Sequence, residues 1–286
     1  MTSWIHTRLR LKSQKTEEGP KVRDYFLTLE SGDFASYYVS LFNAHVFSNI
    51  NGRGLYIYDK SNPISVSYSI LKEAFLPVPN VSYVSEMMMG VTVLAGRSDP
   101  RYATLLPRLS KESLRLAGVT VLTWSPALKE KVQATLTDRR LPDEFDVGVH
   151  IRQRTRFDTI RAPTTAAYVS AVEDQARRLK RTDLTVFVLS ADPADFIEFQ
   201  RLAPATWKLF QVQPNVATIR GSNVSTFNRQ NSAIKLNAYV EHVSELYCMQ
   251  RAAHIVSTLS TDIGRFLYLT AADPAAFRSL DVQTYS

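Results

Sequence analysis

The chain has 286 residues, a length that points to two domains of ordinary size. With 45% hydrophobic and 21% charged residues, and 10 Gly and 13 Pro in no triplet rhythm, it is neither mainly disordered nor collagen-like nor of low complexity. The 34 Lys and Arg against 27 Asp and Glu give a net charge of +7, which admits polyanions, but no basic stripe interleaved with aromatics marks a nucleic-acid binder.

A small anionic ligand such as a nucleotide is at least as consistent with that charge. The single cysteine, Cys248, leaves no intramolecular disulfide and no cysteine-based zinc site, and a reducing compartment is the simpler reading. Residues 1–20 are polar and charged and read as a loose lead-in, without the apolar run of a signal peptide or anchor. No stretch of about 18 apolar residues occurs, so no membrane span is expected, and the expected location is cytoplasmic. Asn80-Val-Ser and Asn223-Val-Ser match the glycosylation tripeptide, which carries little weight without an export signal.

From Asp24 the chain alternates. Asp24 to Leu29 reads as a strand, Glu30-Ser-Gly-Asp33 as a capping turn, and Phe34 to Phe47 as a buried helix. Asn51-Gly-Arg-Gly54 is a turn before a second strand over Leu55 to Tyr58. Segments 65–71, 81–85 and 91–95 extend this first sheet as strands, helices follow over 108–117 and 127–137, and a strand is expected over 119–123. The charged stretch Asp138 to Asp146, with its proline, marks a boundary. A second set begins with a strand over Val147 to Arg152 and a helix over 164–181. Leu184 to Leu189 is the clearest buried parallel strand in the chain. Helices over 193–202, 233–251 and 261–271 alternate with strands over 207–212 and 254–258. The expected organisation is thus a lead-in (1–20), an α/β domain (21–145) and a second α/β domain (146–286), with a ligand cleft between them beyond strand carboxyl ends.

Three strand ends of the second half gather polar residues. In Val149-His-Ile-Arg-Gln-Arg-Thr-Arg156 an apolar strand runs into three arginines at alternate positions, on one face while the strand lasts. Guanidinium groups grip phosphate oxygens bidentately, so a diphosphate site is one reading and a solvated edge or ordinary salt bridges the other. In Leu189-Ser-Ala-Asp-Pro193 either Asp192 or Ser190 caps the next helix. In Ile255 to Gly264, residues Ser260, Thr261 and Asp262 fall at a helix start, where free N–H groups receive an anion or a simple cap, and Gly264 permits a close backbone approach. There is no Walker loop, no G-x-G-x-x-G, no Asp-x-Asp and no His pair at metal-ligand spacing. His6, His45 and His242 read as ordinary surface or core residues, and Cys248 as buried packing.

Together these segments resemble the fucosyltransferase superfamily, which includes the α-1,6-, α-1,2- and protein O-fucosyltransferases. Val147 to Arg156 resembles its V-G-V-H-I-R-R-x-D-K strand, and Val186 to Pro193 the strand ending T-D-D-P. Glu245 to Arg265 is similar, without a gap, to D-x-x-x-L-S-x-A-D-x-x-V-x-T-F-S-S-x-V-x-R of the α-1,6 branch. The first half shows no comparable motif. The resemblance implies a GT-B-like α/β architecture of two Rossmann-like domains facing a cleft, and an inverting, metal-independent transfer of fucose from GDP-fucose to a glycan hydroxyl. It implies no metal or other cofactor, and as partners a nucleotide-sugar donor and a carbohydrate acceptor.

Carried over, His150 and Glu245 contact guanine, and Arg152 holds the diphosphate with Thr261 and with Ser260 and Asp262. Arg265 braces the loop from within the helix, and Arg156 replaces the family lysine. The chain departs from the pattern at Gln153, Thr155, Glu245 and Ala191, and it has Ile160 where α-1,6 enzymes carry a candidate catalytic Glu. Asp158 is the nearest carboxylate and the candidate base, a surface-loop aspartate being the competing reading. A transferase of another nucleotide sugar, for example UDP-linked, keeps the same phosphate logic. Two further readings are a non-catalytic nucleotide-sugar-binding protein and nucleic-acid binding through the basic 152–181 segment. For location, the second reading is the catalytic domain of a secretory-pathway protein.

Overall fold

The computed structural model describes residues 24–29, 34–59, 81–84, 92–94, 100–105, 109–121, 124–152, 162–190, 192–212, 232–271 and 273–282. The lead-in, the strand expected over 65–71, and Asn80 and Asn223 lie outside the described residues. The chain divides into two compact units, the first up to Ser125 and the second from Pro126.

The first unit runs β1 (Tyr25–Leu29), α1 (Phe34–Ile50), β2 (Leu55–Asp59), β3 (Val81–Val84), β4 (Thr92–Leu94), α2 (Pro100–Leu105) and α3 (Lys111–Val121). Its strands form a parallel sheet in the order β3-β2-β1-β4. Both strands flanking α1 are short and apolar, so the helix connecting them must cross a sheet face, and Tyr38, Phe42 and Val46 are buried on it. The turn after α1 places Gly52 at φ 65°, the left-handed region that favours glycine. Gly54 N donates to the Asp24 carboxylate at 2.9 Å while Tyr25 N donates to Gly54 O, fixing where β1 and β2 begin together.

One expected element is overturned here. Residues 119–121 end helix α3 rather than opening a strand. Their β-branched side chains favour a strand locally, but Leu114 and Ala117 are buried and the Tyr38 hydroxyl donates to Gly118 O at 3.0 Å, which holds the segment helical against α1.

The second unit runs α4 (Pro126–Asp138), β5 (Phe145–Ile151), α5 (Thr165–Leu179), β6 (Thr185–Ser190), α6 (Pro193–Leu202), β7 (Lys208–Phe210), α7 (Ser232–Gln250), β8 (Ala252–Ser257) and α8 (Asp262–Thr270), then a 3₁₀ turn (Pro274–Ala276) and β9 (Phe277–Ser279). All its strands are parallel, in the order β7-β6-β5-β8-β9. This unit opens before the boundary expected at 145. Leu128, Val132 and Leu136 repeat every four residues, line one face of α4 and are buried, and α4 packs on α7. Among the described residues the strand β9 pairs with β8 alone, and it carries no sequence pattern of its own.

The core on one face of this sheet joins Val147, Val149 and Ile151 of β5 to Tyr168 and Val172 of α5 and Phe199 of α6. Gly148 faces Met249 and Ala252, and a Cβ there would lie 3.0 Å from each side chain, so α7 sits close to the middle strand. Helix α6 begins where expected because Asp192 accepts from Ala194 N at 2.9 Å and Pro193 takes the first helical position. Ser190 is not the cap. Its hydroxyl donates to Asp195 at 2.6 Å.

Candidate functional site

The order of the second sheet reverses between β5 and β8: the chain moves outward through β6 and β7, then returns to the other side of β5 for β8 and β9. The carboxyl edge of the strands at such a reversal is the usual ligand position of sheets of this kind. His150, Arg152, Ser260, Thr261 and Asp262 are brought to this edge.

His150 is buried on β5 and its Nδ1 lies 2.9 Å from Ser257 Oγ on β8. Arg152, the first residue beyond β5, donates its backbone N–H to the Tyr168 hydroxyl at 3.1 Å. Burial pushes the Tyr168 hydroxyl up to about 12, so it stays protonated. The Arg152 guanidinium donates to Ser260 Oγ and lies 3.6 Å from the Asp281 carboxylate. Its side chain is 11% exposed and that of Asp281 is 2% exposed, so the pair is largely screened from water.

Asp281 follows β9 and carries no sequence signal; only the folded chain brings it here. Its Oδ1 accepts from Leu259 N at 2.9 Å, Ser279 Oγ at 2.9 Å and Val282 N at 2.6 Å, and its Oδ2 accepts from Ser260 Oγ. Burial raises the Asp281 carboxyl, but hydrogen bonds from Ser260, Val282 N and Ser279 outweigh it and hold the group below the usual carboxylate range.

Thr261 is the N-cap of α8. Its Oγ1 accepts from Gly264 N at 3.0 Å and donates to Thr258 O at 2.9 Å. Asp262 opens the helix and Arg265 lies in its first turn, with its backbone N–H donating to Thr261 O at 2.9 Å. The positive end of the α8 dipole thus lies at the same sheet edge as Arg152.

Glu245 is carried on α7, buried, with its carboxylate 3.3 Å from His242 Nδ1. His242 Nε2 is also buried and has no hydrogen-bond partner among the described residues. The pairing of His242 with Glu245 was not expected from sequence, although the i, i+3 spacing on a helix places them together. Arg156 and Asp158, with Gln153, Thr155 and Ile160, lie outside the described residues, as does Ala191. Cys248 is buried, and burial pushes its thiol up to about 12, in keeping with packing rather than chemistry. Among the described residues no group of three or more His, Cys, Asp or Glu is placed to hold a metal ion, and no helix is long and apolar enough to cross a membrane.

Taken as chemistry, a guanidinium beside a helix amino terminus at a sheet switch point is an arrangement suited to an anion.

No protein-family model and no curated protein matches the sequence. Among solved structures, the NodZ α-1,6-fucosyltransferase soaked with GDP-fucose matches with a TM-score of 0.51 at 14% identity, over 87% of this chain and 93% of that one. NodZ from Bradyrhizobium matches at 0.46 and 12% identity, over 87% and 94% of the two chains. A variant of Arabidopsis thaliana FUT1 in complex with GDP matches at 0.46 and 8% identity, over 97% of this chain and 73% of that one. The likeness to the first is one of fold: an α/β chain with parallel sheets, as in a GT-B-like fucosyltransferase.

Proposed function

We propose that this protein is a glycosyltransferase that moves fucose from GDP-fucose to a glycan hydroxyl, with inversion and without a metal. The observation that carries the reading is the convergence of Arg152, Ser260 and the capped start of α8 at the β5/β8 switch point. The fold shared with a fucosyltransferase soaked with GDP-fucose supports it, as do the sequence segments at these strand ends.

In this reading the donor diphosphate is held by Arg152 and by the amino end of α8 at Ser260, Thr261 and Asp262, with Arg156 adding charge. Guanine lies toward His150 and Glu245, and Arg265 steadies the loop. Attack of the acceptor oxygen on the anomeric carbon breaks the bond to the diphosphate, whose growing negative charge meets the guanidinium and the helix N–H groups. Asp158 takes the acceptor proton. The first α/β domain receives the acceptor, and the protein works in the cytoplasm.

Thermal unfolding with GDP, GDP-fucose and UDP, followed by assay of GDP release in excess EDTA, tests the proposal. GDP and GDP-fucose are expected to raise the melting temperature more than UDP, because a ligand of the folded state alone stabilises by mass action. Turnover is expected to persist in EDTA, and its loss with restoration by manganese or magnesium overturns metal independence. A second reading, a non-catalytic binder of the same donor, is favoured by Ile160 at the position of the family Glu. It predicts the same stabilisation by GDP-fucose with no release of GDP.

A further inference from the structure

We infer that Asp281 is a positioning residue of the donor site, holding the Arg152 guanidinium and the Ser260 hydroxyl where a diphosphate is received. The inference rests on the donor reading above and adds to it a residue far along the chain, 21 positions beyond Ser260.

The geometry divides the Asp281 carboxylate into two halves. Oδ1 serves the backbone and its own turn, accepting from Leu259 N, Val282 N and Ser279 Oγ. Oδ2 serves the site, accepting from Ser260 Oγ and lying 3.6 Å from Arg152 Nη1. Ser260 is the link, since it also accepts from that same Arg152 nitrogen. The three side chains form one connected network under the start of α8.

An arginine here needs such a partner for two reasons. Its long side chain has many rotamers, and one held in place before the ligand arrives loses less freedom on binding. It also stands near the positive end of a helix with little access to water, so a buried anion behind it compensates the charge. Ionisation of Asp281 is favoured by the four donors around it, so the negative charge is present at neutral pH. The lone pairs it offers are taken up by these donors, which leaves the carboxylate to orient rather than to bind phosphate.

Asp281→Asn separates the two halves. The amide oxygen can still accept from Leu259 N and Ser279, so the turn is kept. The amide NH₂ then faces the Arg152 and Ser260 donors, and the orienting anion is lost.

The test is GDP affinity by calorimetry in four proteins: wild type, Asp281→Asn, Arg152→Lys and the double variant, each with its melting temperature. Asp281→Asn is expected to weaken GDP about 10-fold in the wild-type background and less than about 3-fold beside Arg152→Lys, because its effect passes through the guanidinium. A role confined to the turn lowers the melting temperature in both backgrounds and weakens GDP equally or not at all, and that outcome overturns the inference while leaving the donor reading intact. Wild-type protein that does not bind GDP overturns the donor reading, and this inference with it. Should Asp281→Asn fail to fold, Asp281→Glu is read in the same way. It keeps the charge but displaces it by one methylene, so near-wild-type GDP binding overturns a positioning role and a loss of several-fold supports it.

Discussion

A methyl group on Gly264 would lie 1.8 Å from the carbonyl oxygen of Thr258. The first turn of α8 therefore rests directly on the backbone that leaves β8, and only a residue without a side chain permits it. The same contact keeps Gly264 N within 3.0 Å of Thr261 Oγ1, so the cap and the close approach are one arrangement.

Gly264→Ala is accordingly expected to destabilise the second unit by about 3 kcal/mol, the upper end for overpacking, since the clash is with backbone rather than a flexible side-chain tip. Thermal or urea unfolding measures it. Because relief of the clash must lift the start of α8 from the strand exit, GDP affinity is expected to fall as well; unchanged stability would show that the helix start can shift freely.

Arg152→Ala is expected to lower kcat/KM for the donor by an amount equivalent to about 2–4 kcal/mol of transition-state stabilisation. The fold should survive, because Asp281 retains its bonds to Leu259 N, Ser279 and Val282 N. Arg152→Lys is expected to recover part of the loss, as a point charge without the planar fork. Steady-state kinetics on proteins matched for melting temperature decides; near-normal transfer by Arg152→Ala removes the diphosphate role.

Glu245→Gln is expected to reduce the preference for GDP over UDP. A carboxylate accepts from both N1–H and the exocyclic amine of guanine, a pair that uracil does not present, whereas a glutamine offers one oxygen and a competing donor. The change is expected to cost GDP about 1–3 kcal/mol and UDP little. Competition binding of the two nucleotides to wild type and variant measures the ratio, and tighter wild-type binding of UDP would replace GDP-fucose as donor.

His45 gives the first unit a sensitivity to acid. It is buried on α1, with Asn49 Nδ2 2.8 Å from its Nε2, and burial lowers its pKa from 6.5 to about 4. An unfolded chain binds a proton as pH falls below 6.5, while the folded one resists until about 4. Stability is thus full above that window and declines on acidification through it, by on the order of 3 kcal/mol in all. Urea unfolding from pH 7 to 4, with His45→Gln as the non-titrating control, should show a steeper decline in wild type than in the variant.

Much of the second unit is legible in local sequence because its signals are local. Asp192-Pro193 fixes a helix start by capping chemistry, and the apolar run ending at Leu189 can be satisfied only in a parallel strand covered on both faces. The Thr261 cap and the need for glycine at 264 are readable for the same reason: both partners lie within a few residues. Where the competing forces are distant, sequence alone misleads. Val119 to Val121 has strand-forming side chains, yet packing against α1 keeps it in a helix, and α4 joins the second unit because its apolar stripe meets α7. Asp281 is the extreme case. Nothing in its neighbourhood marks it, and β9 is too short to announce itself. It reaches Arg152 only because the parallel sheet places β9 beside β8 and β8 beside β5, so that residues more than 100 positions apart leave the same edge. Composition, caps and periodicity determine which elements form. Which charges face one another was decided by the order of the strands.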